Sequence, residues 1–212
     1  MIFKSIVVGP LQVNCFVLAC EKTLEGIIVD PGDNVPEVIE LVLEDDIRIV
    51  EVVATHGHYD HIAHAASAVR ETGAPFAIHP ADRFEVENLV EIAGSIGMDA
   101  EPPPRIDRFL QEGDVVRMGE ETLEIVHTPG HARGNITLKW PGHAVVGDSL
   151  FAGSIGRTDL PGGDTDLLLK SIREKILILD DETKIYPGHG PFTTVGLEKS
   201  SNPFFAGRSG VW

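Results

Sequence analysis

The chain has 212 residues, 42% hydrophobic and 24% charged, and its 33 acidic and 17 basic side chains give a formal net charge of −16. Such a length suits a single domain over 1–212 that buries its core without disulfides or a structural metal. The acidity argues against nucleic acid and anionic membrane surfaces as partners, and its ordinary meaning is solubility.

Residues 5–20 read as two strands broken at "GPLQ", with Cys15 a buried small hydrophobe in "VNCFVLAC". "GIIVDPGD" (26–33) is a short strand ending in a Pro-Gly turn. Residues 35–46 fit a helix, with Pro36 in its first turn and Val38, Ile39 and Val42 on one face. "IRIVEVVAT" (47–55) is a buried strand, and "HIAHAASAVRETG" after it a helix closed by Gly73. "PFAIHP" is a strand and "DRFEVENLVEIAGSIG" a second helix. The Pro run in 98–107 excludes helix and central strand and reads as a surface crossover. Short strands follow near 114–118, 121–127, 135–140 and 143–147, then a helix over "TDLLLKSIREKILIL" and a last strand at "TKIYPG". The tail, 196–212, has weak periodicity. Two β-rich halves with helices predict a layered α/β sandwich. No stretch is apolar for long enough to span a bilayer. There is no signal-peptide pattern at the start, and only Cys15 and Cys20 are present, so a reducing, cytoplasmic location is expected.

The densest chemistry is "THGHYDH", residues 55–61. His56 and His58 share parity on an extended segment, and so does Asp60; His61 joins them only if the chain turns helical there. Further ligand types follow apolar strands and a Gly: His131 in "HTPGHARGN", Asp148 in "AVVGDSL" and His189 in "IYPGHGP". Loops leaving neighbouring strand ends converge at a sheet edge, where α/β sites collect. His56, His58 and His131 make a three-imidazole set, Asp60, His61 and His189 a second, and Asp148 has an oxygen for each. Imidazole and carboxylate without thiolate suit Zn, Fe or Mn, with a position open for water. Two such ions generate a hydroxide at neutral pH and stabilise the oxyanion formed when it attacks an acyl carbon. Asp60 is expected to accept a hydrogen bond from that hydroxide and aim it. The remaining histidines, His64, His79, His127 and His143, read as ordinary core or surface residues.

With those residues in view, the chain resembles the metallo-β-lactamase fold superfamily. "THGHYDH", "TPGHARG", "GDSLF" and "PGHG" occur in the superfamily's order, and the likeness runs from "DPG" at 30–32 to "LEKSSNPF". It implies an αββα sandwich with the site at one sheet edge and the ligand sets just given. Within the superfamily the chain looks most like glyoxalase II, which hydrolyses S-acylglutathiones; the block "GDSLFAGSIGRTDLPGGD" is that of small bacterial members. Asp148 stands where many lactamases of the fold carry Cys, which argues against lactamase activity. The helical C-terminal domain that holds glutathione in the classical enzyme is not expected here. Arg157 takes the place of a Lys and implies an anion contact for the substrate, or else an ion pair with Asp159 or Asp164. Asp159 and Gly190-Pro191 replace other substrate contacts. The resemblance thus implies a dinuclear hydrolase of small-molecule thioesters. The alternative is a persulfide dioxygenase-like enzyme using one iron held by two His and one Asp. Those relatives share "GRTD" at 156–159, but tend to carry Ala where Tyr59 stands and Asp-Tyr in place of Gly190-Pro191.

Overall fold

The computed structural model describes residues 1–206. The first sheet runs in the order β1 (Ile2–Val8), β2 (Val13–Ala19), β3 (Glu25–Val29), β4 (Arg48–Val53), β5 (Phe76–Ile78) and β6 (Ile106–Phe109). Its first three strands pair antiparallel and the rest parallel. The second sheet holds β7 (Val115–Met118), β8 (Glu121–His127), β9 (Ile136–Trp140), β10 (His143–Gly147), β13 (Lys184–Pro187) and β14 (Thr193–Thr194), ordered β14-β13-β10-β9-β8-β7. Only β10 and β13 run parallel in it. A two-stranded hairpin, β11 (Leu150–Phe151) and β12 (Ser154–Ile155), stands apart.

The period-2 alternation of buried strands builds the layers. In β2, Val13, Cys15, Val17 and Ala19 join a core with α1 (Val35–Glu44) and α3 (Ala65–Thr72), while Phe16 and Leu18 turn to the other sheet. β3 does the same with Ile28 on one face and Ile27 and Val29 on the other. In β10, Val145 enters the layer between the sheets, and Ala144 and Val146 pack with Leu168 of α6 (Thr165–Ser171) and with Val195 of α7 (Val195–Ser201). Helices therefore cover both outer faces of two stacked sheets, the expected αββα arrangement. Burying a side chain such as Phe16 or Phe76, each fully inaccessible, contributes roughly 2–3 kcal/mol. Cys15 and Cys20 are buried and unbridged. No described helix is long and apolar enough to cross a membrane.

Several elements differ from expectation. The helix expected over 61–73 is two: α2 (Tyr59–Ile62) and α3, divided at His64, whose φ −118° and ψ 18° leave helical geometry. Both dock on the core, α2 through Ile62 and α3 through Ala65 and Ala68. Gly73 closes α3 as expected, at φ 69°, its N–H bonded to the Val69 carbonyl. The helix expected over 82–97 breaks into α4 (Arg83–Glu87) and α5 (Leu89–Ser95) at Asn88. The Asn88 side-chain amide donates to the Phe84 carbonyl at 2.8 Å, in competition with the helical ladder. After α6 the chain widens into one π turn, Ile172–Ile176, which buries Ile172 and Ile176. β6 starts at the end of the segment read as a crossover. The tail holds α7, whose buried positions are Val195 and Glu198; a carboxylate in place of an apolar residue hides the helical period. The rest of the tail, 207–212, lies outside the described residues.

Candidate metal centre

All four ligand loops leave strand ends on one edge. Thr55 continues β4, its carbonyl accepting from Ile136 N–H of β9 and so tying the sheets together at that edge. His58 sits at φ −67°, ψ 145°, just before α2 begins. The early turn into helix is what brings Asp60 and His61 to the same point, resolving the parity conflict in the sequence. His131 follows Gly130, where φ is 133° and a Cβ would lie 2.3 Å from the Leu168 backbone. Asp148 follows β10, and His189 follows Gly188, where a Cβ would lie 2.2 Å from Asp148 Oδ1 and 2.7 Å from His61 Cε1. Gly188 is thus a close-approach glycine: any side chain there would fill the space between two ligand-type groups.

The seven side chains converge. His56 Nε2 and His58 Nδ1 are 3.1 Å apart. His131 Nε2 lies 3.5 Å from Asp148 Oδ2, and His61 Nε2 3.6 Å from Asp148 Oδ1. His189 Nε2 lies 3.2 Å from Asp60 Oδ2, 3.3 Å from His61 Nε2 and 3.5 Å from Asp148 Oδ2. Among the described residues, three groups have donor atoms close enough to share an ion: His56, His58 and His131; His56, His61 and Asp148; Asp60, His61 and His189. Donors about 2.0–2.2 Å from a tetrahedral ion stand roughly 3.3–3.6 Å from one another, close to the 3.1–3.6 Å of the pairs above. His131 Nε2 and Asp148 Oδ1 are buried with no hydrogen-bond partner. Buried polar atoms are normally satisfied, so these two, aimed into the cluster, fit a divalent cation.

Electrostatics agree. Burial, then the neighbouring imidazoles His61, His58 and His131, push His56 well below the usual histidine range. Burial, with His131 and His61, lowers His58 to about 4. Burial likewise lowers His131 against the pull of Asp148. Burial opposes ionisation of Asp60 and Asp148, but the surrounding histidines outweigh it and hold both carboxyls below the ordinary range. Burial also opposes protonation of His61 and His189, yet the carboxylates around them raise both. The pocket thus presents His56, His58 and His131 as neutral imidazoles, while the carboxylates of Asp60 and Asp148 favour a proton on His61 and His189, where a metal ion would compete with it.

The far nitrogens of these rings are spoken for. His61 Nδ1 bonds Asp30 Oδ2 at 2.9 Å, His131 Nδ1 the Arg157 carbonyl at 2.7 Å, and His189 Nδ1 the Leu11 carbonyl at 2.9 Å. Each such bond fixes the tautomer that leaves Nε2 free. Arg157 therefore acts through its backbone; its guanidinium forms a bidentate pair with Asp159 at 2.8 and 2.7 Å, exposed to solvent. In the sequence Asp30 is marked only by its place in "DPG". Nothing local in the sequence marks Asn135: its Oδ1 accepts from Asp148 N–H at 3.3 Å, and its amide reaches Ser149 Oγ and the Val146 carbonyl. Gly57 is a second close-approach glycine: a Cβ there would meet Glu85 Cβ at 2.8 Å and Asp82 Cβ at 2.9 Å. Tyr59 packs part-buried against the core. His79 and His127 stack on each other, and His143 bonds the Tyr186 hydroxyl.

The hairpin between Asp148 and Arg157 is pinned by α7. Glu198, 1% exposed, accepts from Thr193 Oγ1, Gly153 N–H and Asn202 Nδ2, and Asn202 Nδ2 also reaches the Ser154 carbonyl. Replacing Glu198 by Ala strands these donors. A loss of about 3 kcal/mol, or roughly 10 °C in melting temperature, is expected in thermal unfolding. An unchanged melting temperature would show that the clamp is idle.

Comparison with known proteins follows the same lines. The profile described as "Metallo-beta-lactamase superfamily" matches residues 8–189. A protein of Aquifex aeolicus is 40% identical over 206 residues, covering 96% of this chain and 97% of that one. "Hydroxyacylglutathione hydrolase GloC" of Haemophilus influenzae is 37% identical, covering 99% and 100%. Among solved structures, the "BLEG-1 B3 metallo-beta-lactamase" superposes with TM-score 0.88 at 35% identity, covering 97% of this chain and all of that one. "TTHA1623 in a di-iron-bound form" gives 0.87 at 34%, covering 95% and 100%. "ETHE1 from Myxococcus xanthus" gives 0.83 at 26%, covering 99% and 86%.

Proposed function

The chain belongs to the metallo-β-lactamase superfamily, and from that premise we propose that it is a dinuclear thioester hydrolase of the glyoxalase II type. The observation that carries this is the convergence of seven ligand-type side chains around two orphaned buried donors, His131 Nε2 and Asp148 Oδ1. His56, His58, His131 and Asp148 would hold one divalent ion, and Asp60, His61, Asp148 and His189 the other. Zinc, iron and manganese all suit this donor set, and the likeness to a di-iron-bound structure supports the count of two. When bound, such ions supply an activated water and a Lewis acid for acyl transfer.

This chain's own residues do the rest. Asp60, part-exposed beside His189, is placed to accept a hydrogen bond from the attacking water and aim it. Asp148 balances the charge of the imidazoles around it. Arg157 offers an anionic substrate an exposed guanidinium, for which Asp159 competes. The likeness to GloC supports an S-acylglutathione as the thioester.

The likeness to ETHE1 is consistent with the second reading, a mononuclear iron oxidoreductase. Two His and one Asp would leave the other four ligand-type groups of this pocket without a task. The test is a panel of acyl thioesters including S-lactoylglutathione, with a β-lactam and, under iron, glutathione persulfide. Thiol release that is abolished by chelation and restored by zinc, iron or manganese is expected. A metal-loaded preparation inert to every thioester, or one that consumes oxygen with the persulfide, rejects the proposal.

A further inference from the structure

Asp82 lies outside the ligand sets, at the end of the 3-10 turn Pro80–Asp82 that follows β5. It is fully buried. Its Oδ2 accepts from Gly57 N–H at 2.8 Å and its Oδ1 from Gly134 N–H at 2.6 Å. Gly57 stands between His56 and His58, and Gly134 belongs to the loop that carries His131. One carboxylate therefore joins the backbones of the two loops that build the three-imidazole set. Both partners have to be glycine for it to fit: a Cβ at 134 would lie 2.6 Å from Asp82 Cγ, and one at 57 would lie 2.9 Å from Asp82 Cβ. A hydrogen-bonded carboxylate in a buried place is costly to keep, and burial, despite those two N–H donors, raises this one to about 6. The nearby charges are Glu85, which opposes its ionisation, and Arg133, which favours it. A bridge between two loops is what such a group provides and a neutral packing residue does not.

We propose that Asp82 is a positioning residue that sets the spacing of His56 and His58 against His131, and through it the affinity of that set for its ion in preference to the Asp60–His61–His189 set. This rests on the two-ion reading above. Asp82→Asn keeps the shape but turns an –NH2 toward one of the two backbone N–H groups; Asp82→Ser removes the reach to both. Each variant and the wild type are stripped, reloaded with zinc and titrated with a chromogenic chelator, with melting curves of the metal-free forms alongside. One zinc equivalent weakened about 10- to 100-fold, as when a ligand's supporting partner is lost, and the other held at wild-type affinity, is the expected result. Both equivalents at wild-type affinity overturn the proposal, as do both weakened alike. Metal-free variants with no folded melting transition overturn it in favour of a structural role. A wild-type chain that binds no zinc fails the ligand reading itself, whereas a zinc-binding wild type with unaltered variants fails the Asp82 proposal alone.

Discussion

Asp148→Ala is expected to lower thioester turnover by at least about 10³-fold and to cut bound metal, read by steady-state thiol release and elemental analysis. The size follows from the several kcal/mol that a positioned cation contributes to an acyl-transfer transition state, each 1.36 kcal/mol being about a factor of ten. Asp148 stands between the two sets: its Oδ1 faces His61 of the second, and its Oδ2 faces both His131 of the first and His189 of the second. Its removal also leaves three imidazoles without their shared counter-charge. Asp148→Cys is a finer probe, since a thiolate has one donor atom and serves both sets less well than a carboxylate. An Ala variant with wild-type turnover and full metal content would take Asp148 out of the site.

Asp30→Asn should cost about 10- to 100-fold in metal affinity with the fold retained. Asp30 sits at φ 55°, a left-handed position that Asn also tolerates, so the exchange tests hydrogen bonding rather than backbone strain. The carboxylate accepts from Thr55 N–H and Thr55 Oγ1, each at 2.7 Å, and from His61 Nδ1. Asn retains an oxygen for Thr55 N–H but presents an –NH2 to the other two. The Thr55 hydroxyl can rotate to accept. His61 can accept at Nδ1 only by moving its proton to Nε2, the atom that faces Asp148 and His189, and there it blocks a ligand. Chelator competition measures the affinity, and nitrogen chemical shifts of the His61 ring report the tautomer. Unchanged affinity with Nδ1 still protonated would show that Asp30 does not govern this ring.

The two variants mark different depths of legibility. Asp148 could be read because it follows an apolar strand and a glycine, in a motif dense with ligand chemistry. Asp30 could not be given its role, because its value lies in reaching a histidine 31 positions later, and no local spacing encodes that. Asn135, Asp82 and Glu198 share the same difficulty: each bonds backbone or side chains far away in the chain. Arg157 shows the reverse case. The sequence drew attention to its guanidinium, whereas the fold uses its carbonyl to hold His131.

Local pattern was enough for most of the longer strands, for α1 and for which residue types could bind a cation, since period-2 burial and strand-end turns are set by residues a few positions apart. It could not place the break at His64, the π turn at Ile172–Ile176 or α7, where long-range packing or a buried carboxylate overrides local preference. The sequence by itself determined the donor chemistry: five imidazoles and two carboxylates, each at a strand end. Only the tertiary structure decided that the seven donors meet within ion-binding distance and which ring nitrogen faces inward. That outcome depends on two sheets stacking in one register and on buried partners such as Asp30 and the Arg157 carbonyl, interactions that form only once distant segments pack.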